Sequence, residues 1–213
     1  MANYILNTVK MAGITTLPLF KKVNGEPHLD FEKLVPTPEE LNVESGSFTL
    51  DSTLYFLTKQ CKIPILELGK KETALLHTLV RAKWIEKSFQ RIASQMATAS
   101  ACEKRRLYHT GELYFRNYEK YGVPTWYEWR LRRWGTKWNA LDTHISDCDT
   151  VSFCTAWNPP GPFLRKLSRT YPEAKIYHFW EERCYPGYME HRWLCAGKVL
   201  IKPCPPQLED WYD

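Results

Sequence analysis

Residues 151–195 read VSFCTAWNPPGPFLRKLSRTYPEAKIYHFWEERCYPGYMEHRWLC, and this stretch decides the fold. β-Favouring residues from 151 to 157 predict a strand that ends in an Asn-Pro-Pro turn. A helix is predicted from Pro162 to about Tyr171, because proline is accepted in a first turn, where its missing N–H costs nothing. Two strands, 175–180 and 188–195, are predicted to follow. Strand, helix, strand and hairpin strand form the second half of a split βαβ arrangement, in the α+β class.

The N-terminal residues supply the rest of this sheet. Residues 3–11 favour a strand, and Gly13 follows as a break. The alternation from His28 to Val35 predicts a second extended segment, which must end at Pro36 and Pro38 because proline cannot donate to a strand ladder.

The middle of the chain has helical spacing. Apolar residues from Leu75 to Met96 recur every three or four positions, which predicts one amphipathic helix. A second helix is predicted from about Cys102 to Lys120, and a third from the N-cap Thr125 to about Trp134. The predicted organisation is a first sheet segment (1–45), a helical insertion (46–125), a second sheet segment (126–202) and a tail (203–213).

Composition narrows the class of protein. A hydrophobic fraction of 44% supports a packed core. Seven cysteines are an odd number without paired CxxC spacing, which predicts reduced thiols. The chain shows no basic leader before an apolar stretch and no apolar run of membrane-spanning length. We therefore expect a cytoplasmic protein that does not contact a membrane.

Charge is distributed unevenly along the chain. Residues 81–138 hold thirteen basic and five acidic side chains, a surplus of eight in a chain whose net charge is +5. Such a block predicts a polyanionic or acidic partner, and the alternative is an ordinary solvated helical surface. The aromatic residues interleaved with these charges are Trp84, Tyr108, Tyr114, Tyr118, Trp126 and Trp129.

Three local patterns resemble a known family. They are Leu29-Asp30-Phe31 followed by residues 36–41 (PTPEEL), the block from Trp126 to Ala140, and residues 153–160 (FCTAWNPP). Together they are similar to the YubB-type ferredoxin-like proteins of plasmids and phages, over about the first 45 residues and from about Pro124 to Leu200.

The resemblance implies a ferredoxin-like sheet and an origin on a mobile genetic element in a bacterial cytoplasm. It implies no iron–sulfur cluster, because "ferredoxin-like" names a topology and no cluster spacing of cysteines is present. Residues 45–122 match no pattern of the family, and a shared fold is a weak guide to activity.

The segment Trp-Gly-Thr-Lys-Trp-Asn at 134–139 is the strongest candidate site. Gly135 permits a tight turn after the preceding helix, which would present polar side chains beside indoles that can stack on a base. In the alternative, Trp134, Trp138 and Trp157 pack the helix onto the sheet. The residues predicted to contact nucleic acid or a partner are Arg105, Arg106, Arg130, Arg132, Arg133, Trp134, Thr136, Lys137, Trp138 and Asn139.

No cofactor and no metal site are expected. One alternative is a tetrahedral zinc site drawn from the predicted hairpin, and strand alternation weakens it. Another is a divalent metal held by the acidic run 142–149, which a solvated loop explains more simply. The residues of the zinc alternative are His178, Cys184, His191 and Cys195.

These observations lead to three hypotheses of different classes. The first is a non-enzymatic phage or plasmid protein that binds nucleic acid or a host nucleoprotein complex through a basic-aromatic surface. The second is a counter-defence inhibitor, resembling anti-CRISPR proteins, that binds a host defence complex. The third is a metal-dependent nuclease or hydrolase. The sequence contains no phosphate-cradling glycine loop and no nucleophile elbow.

Overall fold

The computed structural model describes residues 3–12, 17–147, 149–182 and 189–200. Within these residues the structure forms two compact units. One, the sheet unit, contains the residues up to Pro36 and those from Arg130 onward, and the other, the helical unit, spans Thr37–Trp129. The elements are β1 (Tyr4–Ala12), β2 (Phe20–Val23), β3 (Glu26–Leu29), α1 (Ser47–Leu57), α2 (Lys70–Leu79), α3 (Ala82–Thr98), α4 (Ala101–Tyr121), α5 (Trp126–Arg133), β4 (Leu141–Ile145), β5 (Thr150–Ala156), α6 (Gly161–Thr170), β6 (Lys175–Glu182), β7 (Met189–Cys195) and β8 (Lys198–Leu200).

The sheet unit is built on six strands in the order β4-β5-β1-β6-β7-β8. The first strand, β1, lies between β5 and β6 and is antiparallel to both. Therefore β5 and β6 run parallel to each other, and α6 connects them. This is the predicted split βαβ arrangement, in which one strand separates two parallel strands joined by a helix.

One face of this sheet packs against α6. Phe163, Leu164 and Leu167 of α6 are buried and form a single core with residues of the strands. Leu164 and Leu167 recur at the three-residue spacing of a helix face, while the exposed Arg165 and Lys166 lie between them. The sequence of residues 151–195 thus predicted both the strands of the sheet and the helix α6 that packs on it.

The second predicted extended segment, His28–Val35, is wrong for most of its length. Only His28 and Leu29 are in a strand, and Phe31–Lys33 form a 3₁₀ turn. Asp30 begins this turn because its carboxylate accepts a hydrogen bond from the Glu32 backbone N–H at 3.2 Å. The burial of Phe31 in the core favours this turn over a continuing strand.

A two-stranded hairpin, β2–β3, precedes this turn and was not predicted. Asn24 and Gly25 both have positive φ values, 52° and 89°, as the two central residues of a tight hairpin turn require. An Asn-Gly pair is the strongest short-range hairpin signal in a sequence, so this element was accessible to prediction.

The helical unit contains α1 to α4 and the first half of α5. The single helix predicted from Leu75 to Met96 is wrong, because Val80 and Arg81 are extended and separate α2 from α3. The second predicted helix is confirmed as α4, where Ser100 and Glu103 form a capping box and Gly122 ends the helix at φ 73°.

The helical unit closes where α4 crosses α1 at Gly111. A Cβ atom at this position would lie 2.0 Å from the Ser52 carbonyl oxygen and 2.7 Å from Phe56 Cβ. A glycine is therefore required for the two helix backbones to approach this closely.

The acidic run 142–149 is only partly the loop that was predicted. Its first residues belong to β4, which pairs with β5 at the edge of the sheet.

The third predicted helix is confirmed as α5, and β8 is an additional edge strand. The predicted helical insertion spans residues 46–125, and the helical unit of the structure spans Thr37–Trp129. The tail 203–213 lies outside the described residues.

No helix in the described part of the chain combines the length and the apolar character needed to cross a membrane.

Candidate functional site

The turn after α5 fixes the geometry of the candidate site. The Trp134 N–H donates to the Arg130 carbonyl at 2.7 Å, and Gly135 follows at φ 93°. A Cβ atom on Gly135 would lie 2.6 Å from Pro162 Cδ and 3.1 Å from the Pro159 carbonyl oxygen. Only glycine meets both the left-handed conformation and the close approach to the start of α6.

Two of the predicted site residues are buried instead. The Trp134 side chain is fully buried, and its Nε1 donates to the Val35 carbonyl at 2.9 Å. Thr136 is also fully buried, and its hydroxyl donates to the Ala156 carbonyl at 2.9 Å. Both residues hold the turn against the sheet, so neither is available to a ligand. For Trp134, the alternative of an ordinary packing residue is correct.

Asn139 also has a structural role rather than the predicted binding role. Its Oδ1 accepts hydrogen bonds from the backbone N–H groups of Phe31 at 2.8 Å and Ala140 at 2.9 Å. Its Nδ2 donates to Asp30 Oδ1. Because both ends of the amide are engaged, Asn139 ties the turn at residues 30–33 to the start of β4.

The half-buried Lys137 and the exposed Trp138 and Trp157 form a group that we name the indole platform. The Lys137 ammonium lies 4.1 Å from the Trp138 ring centroid and 6.0 Å from the Trp157 ring centroid. Trp138 is 37% exposed and Trp157 is 50% exposed. One cation thus lies beside two accessible indoles, within the range of cation–π attraction.

Trp157 was named from sequence only in the packing alternative and was not among the predicted contact residues. It follows β5 directly and has a φ of 70°, a conformation rarely adopted by a bulky residue. Its backbone N–H donates to the Asn3 carbonyl at 2.9 Å, which holds the strand end in place. No pattern in the sequence signals a left-handed tryptophan, and so its exposure could not be foreseen.

The three arginines of α5 differ in their surroundings. Arg130 Nη2 donates to Glu32 Oε1 at 3.0 Å, and its guanidinium lies 4.6 Å from the Trp134 ring centroid. Arg130 is therefore a structural residue rather than the predicted contact residue. Arg132 and Arg133 are exposed on the last turn of α5.

Arg105 and Arg106 lie in the helical unit, on α4, and both are exposed. The Arg106 guanidinium carbon is 5.0 Å from the Phe48 ring centroid, and Arg106 Nη2 is 4.0 Å from Glu44 Oε2. Of the other predicted residues, those at 130–139 belong to the sheet unit.

Some basic side chains of the block 81–138 form ion pairs with acidic side chains that lie outside the block. Arg91 pairs with Asp51, and Lys120 Nζ pairs with Glu40 Oε1 at 2.7 Å. The Lys120 ammonium is the main reason that the pKa of Glu40 is lowered to about 2. Because these acidic partners lie before residue 81, a count over residues 81–138 leaves them out.

The helical unit has basic-aromatic groups of its own, and the one with an exposed indole is centred on Trp84. Trp84 is 44% exposed, and the ammonium groups of Lys83 and Lys87 lie 5.5 Å and 5.2 Å from its ring centroid. By contrast, Tyr114 is fully buried in the helical unit, and Tyr108 and Tyr118 are half-buried against its core clusters.

The zinc alternative is not supported by the strand register. His178 pairs with Arg192, while His191 pairs with Phe179, so the two histidines project from opposite faces of the sheet. Cys195 lies on the face of His191, and Cys184 lies outside the described residues. Among the described residues, no three His, Cys, Asp or Glu side chains gather in a way that would suit a metal ion.

His178 instead belongs to a buried polar chain that crosses four strands. Its Nε2 bonds to Asn7 Oδ1 at 3.0 Å, and its Nδ1 accepts from Arg192 Nε at 3.1 Å. Asn7 Nδ2 donates to Thr155 Oγ1 at 3.0 Å. Burial, and then the Arg192 charge, hold the pKa of His178 well below its usual value, so the imidazole is neutral.

Comparison with known proteins gives one family-model match and one match to a solved structure. The crystal structure of a protein api92 from Yersinia pseudotuberculosis aligns at a TM-score of 0.38 and 11% identity, covering 97% of this chain and 100% of that chain. Curated proteins gave no match. Residues 133–192 match the family model described as "Ferredoxin-like domain in Api92-like protein". The expected ferredoxin-like α+β fold is thereby confirmed, and residues 133–192 are similar to the ferredoxin-like domain of Api92-like proteins.

Proposed function

We propose that this chain is a non-enzymatic binding protein that engages single-stranded nucleic acid through the indole platform. The observation that carries the proposal is the position of the Lys137 ammonium beside two exposed indoles, Trp138 and Trp157. Two exposed indoles suit unpaired bases, and an ammonium close to both suits the phosphate that links those bases.

The energetics of the platform favour a binding role over a packing role. Base–aromatic stacking contributes about 1–3 kcal/mol per base, and it is insensitive to sequence because every base has a π face. Holding a bulky residue such as Trp157 at positive φ costs about 1–3 kcal/mol, and such strain is concentrated at functional sites. In this structure the strained backbone presents half of a large indole to solvent.

Nearby charges support the same ligand. Arg132 and Arg133 are exposed on α5, six and five residues before Trp138 in the sequence. Exposed guanidiniums contact phosphates without reading the sequence, so they add affinity that falls as salt rises. We therefore propose a ligand that is recognised by backbone charge and base stacking.

The test is fluorescence anisotropy of a labelled oligothymidylate titrated with the wild-type chain and with W138A and W157A. We expect each substitution to weaken binding by roughly tenfold, which corresponds to about 1.4 kcal/mol. The matched control is W84A, which removes an indole of similar exposure, also flanked by lysines, from the helical unit.

Each outcome has a definite meaning. Weakening by W138A and W157A with little effect of W84A supports binding at the platform. The reverse pattern would transfer the proposal to the helical unit. An absence of oligonucleotide binding at low salt would reject the proposal and favour a protein partner, as the counter-defence hypothesis requires.

We further propose that the protein is of the YubB type, originates from a phage or plasmid and acts in a bacterial cytoplasm. The support is the resemblance carried by residues 153–160 (FCTAWNPP) and by the block 126–140. Part of that block, from residue 133, lies in the segment that matches the Api92-like family model.

A further inference from the structure

Arg192 of β7 is a half-buried cation with one hydrogen bond to the protein among the described residues. Its Nε donates to His178 Nδ1 at 3.1 Å, which uses the inner edge of the guanidinium. Among the described residues, no hydrogen-bond acceptor is found for its two terminal nitrogens. A desolvated charge without a partner is costly, and in folded proteins such groups are normally paired.

Two neighbouring charges, the Glu190 carboxylate and the Arg165 guanidinium, act on Arg192 in opposite directions. Burial lowers the pKa of Arg192, and repulsion from the Arg165 guanidinium of α6 lowers it further, whereas the Glu190 carboxylate acts in the opposite direction. Arg165 and Glu190 are both exposed. Gly161, the residue of α6 beside which the Arg192 guanidinium lies, is four positions before Arg165, so the two positions are on the same side of the helix. An anion bound there would meet both guanidiniums.

The position of Arg192 is fixed by the polar chain beneath it. Since Arg192 donates to Nδ1, the proton of the neutral His178 ring is on Nε2 and is donated to Asn7 Oδ1. Asn7 donates to Thr155, whose hydroxyl donates to the Asn158 carbonyl at 2.8 Å. The guanidinium is therefore tied to the loop that follows Trp157.

Gly161 connects this guanidinium to the platform. A Cβ atom on Gly161 would lie 3.4 Å from Arg192 Nη2 and 3.5 Å from Nη1, and the Gly161 backbone N–H lies 3.3 Å from the Cβ position of Gly135. The guanidinium and the Gly135 turn therefore flank the same glycine, at the start of α6. Lys137 and Trp138 follow that turn directly.

We propose that Arg192 and Arg165 form a phosphate-binding subsite for the strand whose bases stack on the indole platform. This inference rests on the proposed function. A guanidinium presents a planar fork that matches phosphate oxygens, and two forks side by side suit one tetrahedral anion. The helix terminus itself does not supply the donors, because the Gly161 and Leu164 N–H groups already bond to Pro159 and Pro160 carbonyls.

The test compares R192Q and R165Q with the wild-type chain in the oligothymidylate titration, over a series of salt concentrations. We expect each variant to bind roughly tenfold to a hundredfold more weakly. We also expect the slope of log affinity against log salt to fall by about 0.7 for each phosphate that the variant no longer neutralises. The matched control is K166Q, which removes an exposed positive charge from the neighbouring position of α6 and is expected to bind as the wild type does.

Structural damage and phosphate binding are separated by two further measurements. R165Q changes an exposed side chain, so its loss of affinity at an unchanged melting temperature supports the subsite even if R192Q unfolds. R192K retains the charge and loses the fork, and we expect it to restore the salt slope but only part of the affinity.

Calorimetric titration with inorganic tripolyphosphate distinguishes failure of this inference from failure of the proposed function. Tripolyphosphate binding that R192Q and R165Q abolish, in a chain that binds no oligonucleotide, would retain the phosphate subsite and reject the nucleic-acid function. Oligonucleotide binding that neither arginine variant weakens would overturn the subsite and leave the indole platform in place.

Discussion

Replacement of Gly135 by alanine tests whether the turn after α5 is built as described. The new methyl group would meet Pro162 Cδ at 2.6 Å and the Pro159 carbonyl oxygen at 3.1 Å, while the backbone remains at φ 93°. Pro162 and Pro159 flank the start of α6 and cannot move without disturbing the packing of that helix. The substitution therefore combines backbone strain with overpacking.

The expected loss can be worked from these two contributions. A left-handed conformation costs a non-glycine residue about 1–2 kcal/mol. Overpacking at a site that cannot relax adds about 1–3 kcal/mol. We expect G135A to lower the free energy of unfolding of the sheet unit by about 2–5 kcal/mol, and to weaken oligonucleotide binding by displacing Lys137 and Trp138.

The chain offers a matched control for the strain alone. Gly25 has a nearly identical φ of 89°, and a Cβ atom there would meet nothing within 4 Å. G25A should therefore show only the conformational cost, about 1–2 kcal/mol. Urea unfolding followed by tryptophan fluorescence measures both variants. If G135A is no less stable than G25A, the close approach of the turn to α6 is wrong.

Three further predictions concern the core and the titrating groups. G111A should lower the free energy of unfolding, measured in urea, by about 1–3 kcal/mol, because the new methyl group forces α1 and α4 apart. This loss should exceed the gain from the better helix propensity of alanine, and the control S94A, on the exposed part of α3, should be nearly neutral. Stability should fall as pH drops below 6.5, since the unfolded chain protonates His178 and the folded chain does not, and this slope of the urea midpoint should be reduced in H178Q. The Glu40 carboxyl should titrate in NMR near pH 2, and its contribution to stability, complete above pH 4.5, should be lost as pH falls toward 2. The K120Q substitution should return the pKa of Glu40 toward the usual range, and an unchanged pKa would contradict the ion pair.

Local patterns with one dominant cause were predicted correctly. The strand from 150 to 156, the helix α6 and the paired strands β6 and β7 each follow from periodicity and a proline-marked turn. The capping box at Ser100 and the left-handed Gly122 likewise fix the ends of α4 within the chain itself. In these elements local propensity and tertiary packing favour the same conformation.

Predictions failed where a distant contact overrides the local pattern. The alternation after His28 suggests a strand, and the burial of Phe31 against Trp134 makes a turn more favourable. The break at Val80 and Arg81 interrupts apolar spacing that continues on both sides. Neither feature is visible in a window of neighbouring residues.

The location of the candidate site stays a prediction, and the structure separates the residues that hold its turn from those at the surface. The glycine turn at 135 was predicted from sequence, but the roles within it were assigned too broadly: Trp134, Thr136 and Asn139 hold the turn, and Lys137 and Trp138 are accessible. Exposure depends on which side of the turn faces the sheet. The spacing of residues alone cannot give that orientation.

The residues that sequence reasoning missed come from other strands. Trp157 joins the platform through the end of β5, and Arg192 reaches the start of α6 from β7. Their only sequence signal is the alternation of residues along a strand, which indicates the face of the sheet on which a side chain lies. It does not indicate which residues of other strands lie beside that side chain. Sheet register is needed to bring them together.

The most direct test of the central claim is an NMR titration that follows the indole N–H resonances of the nine tryptophans as an oligothymidylate is added. We expect the resonances of Trp138 and Trp157 to shift and saturate together. The resonance of Trp134, whose Nε1 is bonded to the Val35 carbonyl, should stay in place. Shifts confined to Trp84, or no shifts at low salt, would contradict binding at the indole platform.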